Sequence, residues 1–390
     1  MCLNLNKTVP DSYMKYFLLF FLAILTVRAQ DSVQVIFKIQ ANNIPDTAKV
    51  YITGNLRVLG NWQPDKVSLI NTHSNYWEKT FYLPGGKNIE YKITLGSWKS
   101  EAVNKEGRVP PNNKLLVSND TVIQLKIDYW KDQFKEETNG QITGEVQYYR
   151  NIKGKGIPPR DIIVWLPPGY NTDIQQRYPV LYMQDGQNLF DPATSAFGTD
   201  WQLDETADSL IKKGLIKPII IVGIYNTKWR YSEYAENDTG FAYMKFVVDK
   251  VKPLIDSTYR TLPDPGNTAV GGSSLGALIS FMLAWNYPDI FSKVICISPA
   301  LKVYNFNYVD NVQKYGGQRK NLKFFFDTGI HSPDSLLVPG TGEMINALEN
   351  LGYKMGKDIL WHKDKEGQHN EASWAKIVWR PLMFFFGKKE

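Results

Sequence analysis

Near residue 143 the hydrophobic pattern changes period, and that change constrains the fold of this 390-residue chain more than any other feature. From residue 31 to about 132, apolar and polar residues alternate in VQVIFKI, KVYITG, WEKTFYL, IEYKITL and TVIQLKI, with turn-forming stretches such as ANNIPD, PGGKN and SND between them. Period two puts successive side chains on opposite faces of a strand. Short strands at this spacing, with no helical stripe among them, predict an all-β sandwich of the immunoglobulin-like kind. After the polar stretch KDQFKEETNGQITG, the runs DIIVWLPP, YPVLYMQD, PIIIVGIY, NTAVGG, KVICIS, LKFFFDTG and DILWHKD alternate with helical patterns near 202–214, 241–258, 275–287, 338–352 and 371–386. Several of these strands are apolar throughout, as parallel strands are when helices cover both faces. The expectation is a doubly wound, mostly parallel α/β sheet. The chain thus divides into 1–29, a β domain at 30–132, a linker at 133–142 and an α/β domain at 143–390.

The first of these segments reads as an address. Residues 16–27, YFLLFFLAILTV, form an apolar run of 12 behind Lys15. A bilayer span needs about 20 residues, so the run has the length of a signal-peptide core. Val27 and Ala29 fit the small-residue cleavage rule, which makes Gln30 the first mature residue. Met14, directly ahead of Lys15, reads as the start of translation. No other segment is long and apolar enough to anchor the chain. Cys2 precedes the apolar run, which leaves Cys296 in VICISPA as the one mature thiol and excludes an intrachain disulfide or a cysteine metal site. Export without disulfides points to bacterial secretion or the periplasm. The formal charge of +6 falls to +4 once Lys7, Lys15, Arg28 and Asp11 are removed, no electrostatic footprint for nucleic acid.

The α/β domain carries a nucleophile pattern. Gly272-Ser273-Ser274-Leu275-Gly276 fits G-x-S-x-G, with a β-prone TAV before it and an apolar helix after it. A sharp strand-to-helix turn needs small neighbours because its central serine is held in strained backbone with the hydroxyl outward. Serine needs a base, and the sequence offers His73, His331, His362 and His369. His73 lies in the β domain, and His362 alternates within the strand ILWHK, where a structural role is the simpler reading. His369, in the late loop EGQHNEASW, follows the chain order serine, acid, histidine of α/β hydrolases. The acid that fixes the imidazole tautomer is Asp334, in the loop beyond the strand LKFFFD, with Asp327 at the strand end as its rival. Two N–H donors for an oxyanion are expected from the backbones of Leu275 and Gln187. Arg230, Glu233 and Tyr234 follow the strand IIIVGIY at the carboxyl end, where ligands bind in open α/β sheets, and are candidate substrate contacts. Asp185 and Asp191 have no histidine beside them and read as turn residues. No metal or organic cofactor is expected.

The stretch YPVLYMQDGQNLFD, the elbow GGSSLG, the segment RYSEY and the ending GQHNEASW together resemble the putative-esterase family of α/β hydrolases, which includes enterochelin esterase-like and feruloyl esterase-like enzymes. The resemblance spans roughly 145–388. It implies an α/β-hydrolase fold and a serine carboxylic-ester hydrolase, with Ser274 and His369 matching the nucleophile and base. Relatives often place the acid two or three residues after the strand-end glycine. Here Gly329 is followed by Ile330 and His331, so Asp334 and Asp327 both remain candidates.

The β domain carries a second resemblance. VYITGNLRVLGNWQPDKVSL, YWEKTFYLPGG and IEYKITLGSWKSE are similar to starch-binding domains of carbohydrate-binding module family 20, over residues 33 to about 130. Pyranose rings offer apolar C–H faces that flat indoles recognise. The resemblance implies stacking by Trp62 and Trp98, a hydroxyl donor in Lys92 and polar contacts from Asn112 or Asn113, while Trp77 is expected in the core. The expected partners are a starch-like α-glucan and an ester substrate. Two other readings are a carbohydrate-binding protein whose hydrolase fold is inactive, and a siderophore or small-ester hydrolase whose β domain is a docking module.

Overall fold

In a computed structural model, residues 32–105, 107, 109–133, 141–331 and 333–388 are described. The expected signal peptide, and most of the expected linker, lie outside them. Chain contacts divide the protein into two compact units, with the division between residues 134 and 135.

The first unit is a β-sandwich. Its strands are β1 (Ser32–Ala41), β2 (Tyr51–Gly54), β3 (Val67–Ser68), β4 (Ile70–His73), β5 (Tyr76–Pro84), β6 (Asn88–Thr94), β7 (Asn113–Leu116) and β8 (Thr121–Ile127). They form two four-stranded sheets, in the orders β4-β5-β1-β8 and β3-β2-β6-β7. The alternation in β1 buries Val33, Val35, Phe37, Ile39 and Ala41 while the residues between them face outward. Phe37 meets Phe81 of its own sheet and Tyr91 of the other edge-on, which fixes the two sheets face to face. Trp77 and Trp130 lie in this core; Trp62 and Trp98 lie outside it. The short strands β3, β4 and β7 were not apparent from the sequence pattern.

The second unit is a mixed α/β domain. Its strands are β9 (Glu145–Gly154), β10 (Ile157–Leu166), β11 (Val180–Gln184), β12 (Ile220–Ile224), β13 (Thr268–Ser273), β14 (Lys293–Ile297), the hairpin β15 (Lys302–Val303) with β16 (Phe306–Asn307), β17 (Lys323–Gly329) and β18 (Ile359–Asp364). Its helices are α1 (Leu203–Lys212), α2 (Arg230–Glu233), α3 (Asp238–Phe246), α4 (Lys252–Thr258), α5 (Leu275–Asn286), α6 (Val309–Gln313), α7 (Val338–Asn350), α8 (Glu371–Ile377) and α9 (Trp379–Phe386). The sheet runs β18-β17-β14-β13-β11-β12-β10-β9. The six strands from β18 to β12 are parallel, and β10 and β9 close the edge antiparallel.

Successive residues of the parallel strands enter two different cores. Val270, Val294, Phe324 and Phe326 pack with α5 on one face. Ala269, Ile295 and Phe325 pack with α1, α8 and α9 on the other. This two-sided burial is why the strands read as continuous apolar runs. It also leaves polar chemistry to the loops beyond the strand ends, where β13 occupies the centre of the sheet.

An acidic cluster lies at the start of α1. Asp200, Asp204 and Glu205 bring carboxylate oxygens within 4.8 Å of one another. Burial, together with Glu205, pushes Asp204 up to about 9, and Asp204 accepts the Thr143 N–H at 2.6 Å.

Candidate functional site

Ser274 stands alone between β13 and α5 with φ 56° and ψ −122°, a conformation that L side chains rarely adopt. The surroundings over-determine it. Its N–H donates to the Ile297 carbonyl at 3.0 Å, and its carbonyl accepts N–H bonds from Ala277, Leu278 and Ala300 at 3.2 Å each. The flanking glycines are required by close approach. A Cβ on Gly272 would lie 2.8 Å from the Gly276 backbone, and one on Gly276 would lie 3.0 Å from Asp185 Oδ2. Ser274 is half-buried at the carboxyl edge, while Ser273 beside it is buried.

Two loops along the same edge bring together a histidine and an acid. Asp334 lies in the helical turn Asp334–Leu336 beyond β17, and its Oδ1 is 2.5 Å from His369 Nδ1. Asp334 Oδ2 accepts the Ser298 hydroxyl at 2.7 Å and the Gly329 N–H at 2.9 Å. Burial alone would raise the Asp334 carboxyl, but His369, Ser298 and Gly329 hold it below the usual carboxylate range. Trp374 donates its indole N–H to Ser298 Oγ at 3.1 Å and meets the His369 ring edge-on at 5.2 Å. Ser298 follows Ile297, the residue whose carbonyl holds the Ser274 N–H. A short chain of contacts therefore runs from elbow to acid to imidazole.

The rival acid is occupied elsewhere. Asp327 and His362 are register partners across β17 and β18, and Asp327 Oδ1 lies 2.6 Å from His362 Nδ1. Burial pushes Asp327 up to about 6. The described residues thus hold two Asp–His pairs, and His369 belongs to Asp334.

The loop after β11 faces the elbow from the other side. Asp185 has φ 57°, and a Cβ on Gly186 would lie 2.4 Å from the Gly223 carbonyl carbon, so the D-G pair lets the chain turn tightly against β12. The turn Gly186–Asn188 follows, with Gln187 half-exposed and its side-chain oxygen accepting the Asn226 N–H at 3.1 Å. Leu275 opens α5 directly after the elbow. These are the positions expected to supply oxyanion donors.

Among the expected substrate contacts, two are corrected. Glu233 has no exposed surface; its carboxylate is held by Arg160 at 2.5 Å and by the Thr227 hydroxyl at 2.9 Å. Tyr234 is likewise enclosed, with the Arg230 guanidinium 5.0 Å from its ring centroid. The short turn α2 directs these side chains inward, so neither reaches a ligand at the edge. Arg230 stays at the edge. It grips Asp185 through Nε at 2.8 Å and Nη2 at 2.7 Å, and Nη2 reaches the Ser273 carbonyl at 3.4 Å. The loops leaving β11, β12, β14 and β17 expose large apolar side chains along this edge: Phe197, Trp229, Tyr304, Ile330 and Leu336.

In the sandwich, Trp62 and Trp98 are half-buried. The Thr94 hydroxyl joins their loops, donating to the Pro64 carbonyl at 2.6 Å and accepting the Gly96 N–H at 3.1 Å. The polar residues expected beside them have protein partners. Lys92 pairs with the buried Glu101 at 3.0 Å, Asn112 donates to Glu90 at 3.0 Å, and Asn113 donates to the Tyr91 carbonyl at 3.4 Å.

In the mixed α/β sheet a strained serine follows the central strand, and the neighbouring loops carry a bonded Asp–His pair. The chain belongs to the putative esterase family, whose profile matches residues 158–378, and it carries a starch binding domain matched at residues 32–124. It is 28% identical over 174 residues to an endo-1,4-beta-xylanase/feruloyl esterase of Xylanibacter ruminicola, an alignment spanning 41% of this chain and 22% of that protein. It is 26% identical over 225 residues to the protein YjcH of Bacillus subtilis, spanning 56% of this chain and 87% of the relative. Among solved structures, a ferulic acid esterase superposes with TM-score 0.53 at 21% identity, covering 62% of this chain and 98% of its own. The enterobactin esterase of Shigella flexneri, in the presence of enterobactin, superposes with TM-score 0.52 at 13% identity, covering 92% and 94%. At such identities the likeness is one of fold.

Proposed function

We propose that the protein is an exported serine carboxylic-ester hydrolase whose β domain holds it on a polysaccharide of the α-glucan type. The observation that carries the reading is the placement of Ser274 at a positive-φ elbow on the edge where Asp334 and His369 pair at 2.5 Å. In this mechanism Ser274 Oγ attacks the acyl carbon while His369 takes its proton. The Leu275 and Gln187 N–H groups stabilise the oxyanion. His369 then protonates the departing alkoxide, and water, activated by the same imidazole, releases the acyl-enzyme. Asp334 keeps Nδ1 protonated and Nε2 free to act. The exposed apolar rim from Phe197 to Leu336 suits a bulky acyl group, and the Xylanibacter relative is named as a feruloyl esterase. The test is p-nitrophenyl acetate turnover by the intact chain, lost in Ser274→Ala, followed by a panel of acetyl and feruloyl sugar esters with and without soluble starch.

The sugar-binding role has its own expected result. On an amylose column the wild-type chain is retarded and the Trp62→Ala/Trp98→Ala variant elutes in the void, while both hydrolyse a small soluble ester at equal rates. The tether acts through local concentration, not through the chemistry. Equal retention of the two proteins would remove the tryptophans from the binding surface. Export predicts a mature chain beginning at Gln30, read directly from the intact mass of protein recovered outside the cytoplasm. A full-length mass there would refute cleavage at this site.

A further inference from the structure

The proposed catalytic steps leave Asn188 and Glu371 without a role. Both are buried, at 6% and 4% exposure. Across 183 positions of sequence, Asn188 Nδ2 donates to Glu371 Oε1 at 3.1 Å. Asn188 ends the turn that carries Gln187, and Glu371 is the first residue of α8, two positions after His369. The remaining polar groups of Asn188 are also committed. Its Oδ1 accepts the Ala196 N–H at 3.0 Å, its N–H donates to the Asp185 carbonyl at 2.9 Å, and its carbonyl accepts the Trp201 N–H at 2.9 Å. The side chain cannot swing to another partner without opening the loop. At the other end of this turn, Arg230 fixes Asp185 and touches the Ser273 carbonyl. The turn is tied on one side to the strand that presents the nucleophile and on the other to the helix that follows the base.

A buried carboxyl is costly unless it is bonded. The apolar packing of α8 is supplied by Trp374 and Ile377, so packing alone does not call for a glutamate here. We propose that Glu371 is a positioning residue that, through Asn188, holds the Gln187 N–H in fixed register with His369, so that oxyanion donor and base keep one geometry. The inference rests on the serine-esterase reading and adds a mechanical link to it. The charged and titratable groups facing Glu371 are Asp185, His369 and Arg230. Burial pushes the carboxyl up to about 7, and either protonation state still presents an acceptor oxygen to Asn188. An oxyanion donor acts only when it is placed in advance where charge develops. Loosening it therefore lowers kcat and leaves substrate binding in place.

The experiment measures kcat and KM on p-nitrophenyl acetate for the full chain and for Glu371→Ala, Glu371→Gln, Asn188→Ala, the Glu371→Ala/Asn188→Ala double variant and Ser274→Ala. Each alanine variant is expected to lower kcat about 10- to 100-fold, with KM within about threefold of wild type. The double variant falls no further than the worse single one, because both cut the same tie. Glu371→Gln, whose amide oxygen accepts the same bond, returns kcat to within about fivefold of wild type. Should truncation unfold the chain, the similarly sized Asn188→Leu, which keeps the volume and removes the donor to Glu371, is expected to show the same loss in kcat. Unchanged kcat in the folded variants, a loss confined to KM, additive losses in the double variant, or a glutamine variant as impaired as the alanine would overturn the inference. Turnover surviving in Ser274→Ala would instead overturn the serine reading itself, so the two failures are read separately.

Discussion

Ser274→Ala is expected to lower ester turnover by about 10⁴- to 10⁶-fold, the scale on which a serine nucleophile fails alone, while the melting temperature stays within a few degrees of wild type. The backbone argument supports the second half. The bonds that hold the elbow involve the Ser274 N–H and carbonyl, received or donated by Ile297, Ala277, Leu278 and Ala300, and alanine keeps all of them. Strain at φ 56° belongs to any L residue placed there, so the substitution neither adds nor relieves much of it. The control is its neighbour. Ser273 ends β13, is buried, and presents its carbonyl to Arg230, so Ser273→Ala is expected to retain turnover within about threefold of wild type. A Ser274→Ala protein that keeps more than a hundredth of the rate, or a Ser273→Ala protein that loses it, would place the nucleophile elsewhere.

The reach of the sequence differs from element to element for identifiable reasons. The parallel strands were legible because burial on both faces leaves an unbroken apolar run, as in KVICI, and the elbow was legible because its small residues fall within one pentapeptide, although Gly276 is forced by Asp185 from a distant loop. β9 was not. It is an edge strand whose EVQYYRNIKG is half-exposed throughout, so neither periodicity nor apolarity marks it. α8 and α9 read as one helix from 371 to 386; the structure breaks it at Val378. Glu233 and Tyr234 lie near a strand end, which sequence can locate, but the inward direction of Glu233 depends on Arg160, a partner 73 positions away. The Asn188–Glu371 tie and the Lys92–Glu101 pair depend on tertiary approach. No local signal carried them; an acidic residue two places after a candidate base was the nearest clue.

The choice between Asp334 and Asp327, which motif and spacing left open, becomes the second large expected effect. Asp334→Asn is expected to lower kcat about 10⁴-fold, because the imidazole loses the carboxylate that fixes its tautomer and balances its charge during proton transfer. Asp327→Asn, which alters only the His362 pair between β17 and β18, is expected to leave kcat within about threefold of wild type. The two variants also separate by acid stability. Asp334 titrates below the usual carboxylate range in the folded chain, so its contribution is present above the unfolded value of about 4 and is lost as pH falls through the lower folded value. The melting temperature of Asp334→Asn should therefore lie below wild type at pH 7, with the gap closing under acid conditions below about pH 4. Asp327 has the opposite sign. Burial raises it to about 6, so its contribution is present below about pH 4 and is lost as pH rises through about 6, and Asp327→Asn gains on wild type over that interval. If Asp327→Asn carries the catalytic loss and Asp334→Asn does not, the dyad drawn from the 2.5 Å contact with His369 is the wrong one. The base would then be His362, reached from the sheet itself and not from the loop beyond it.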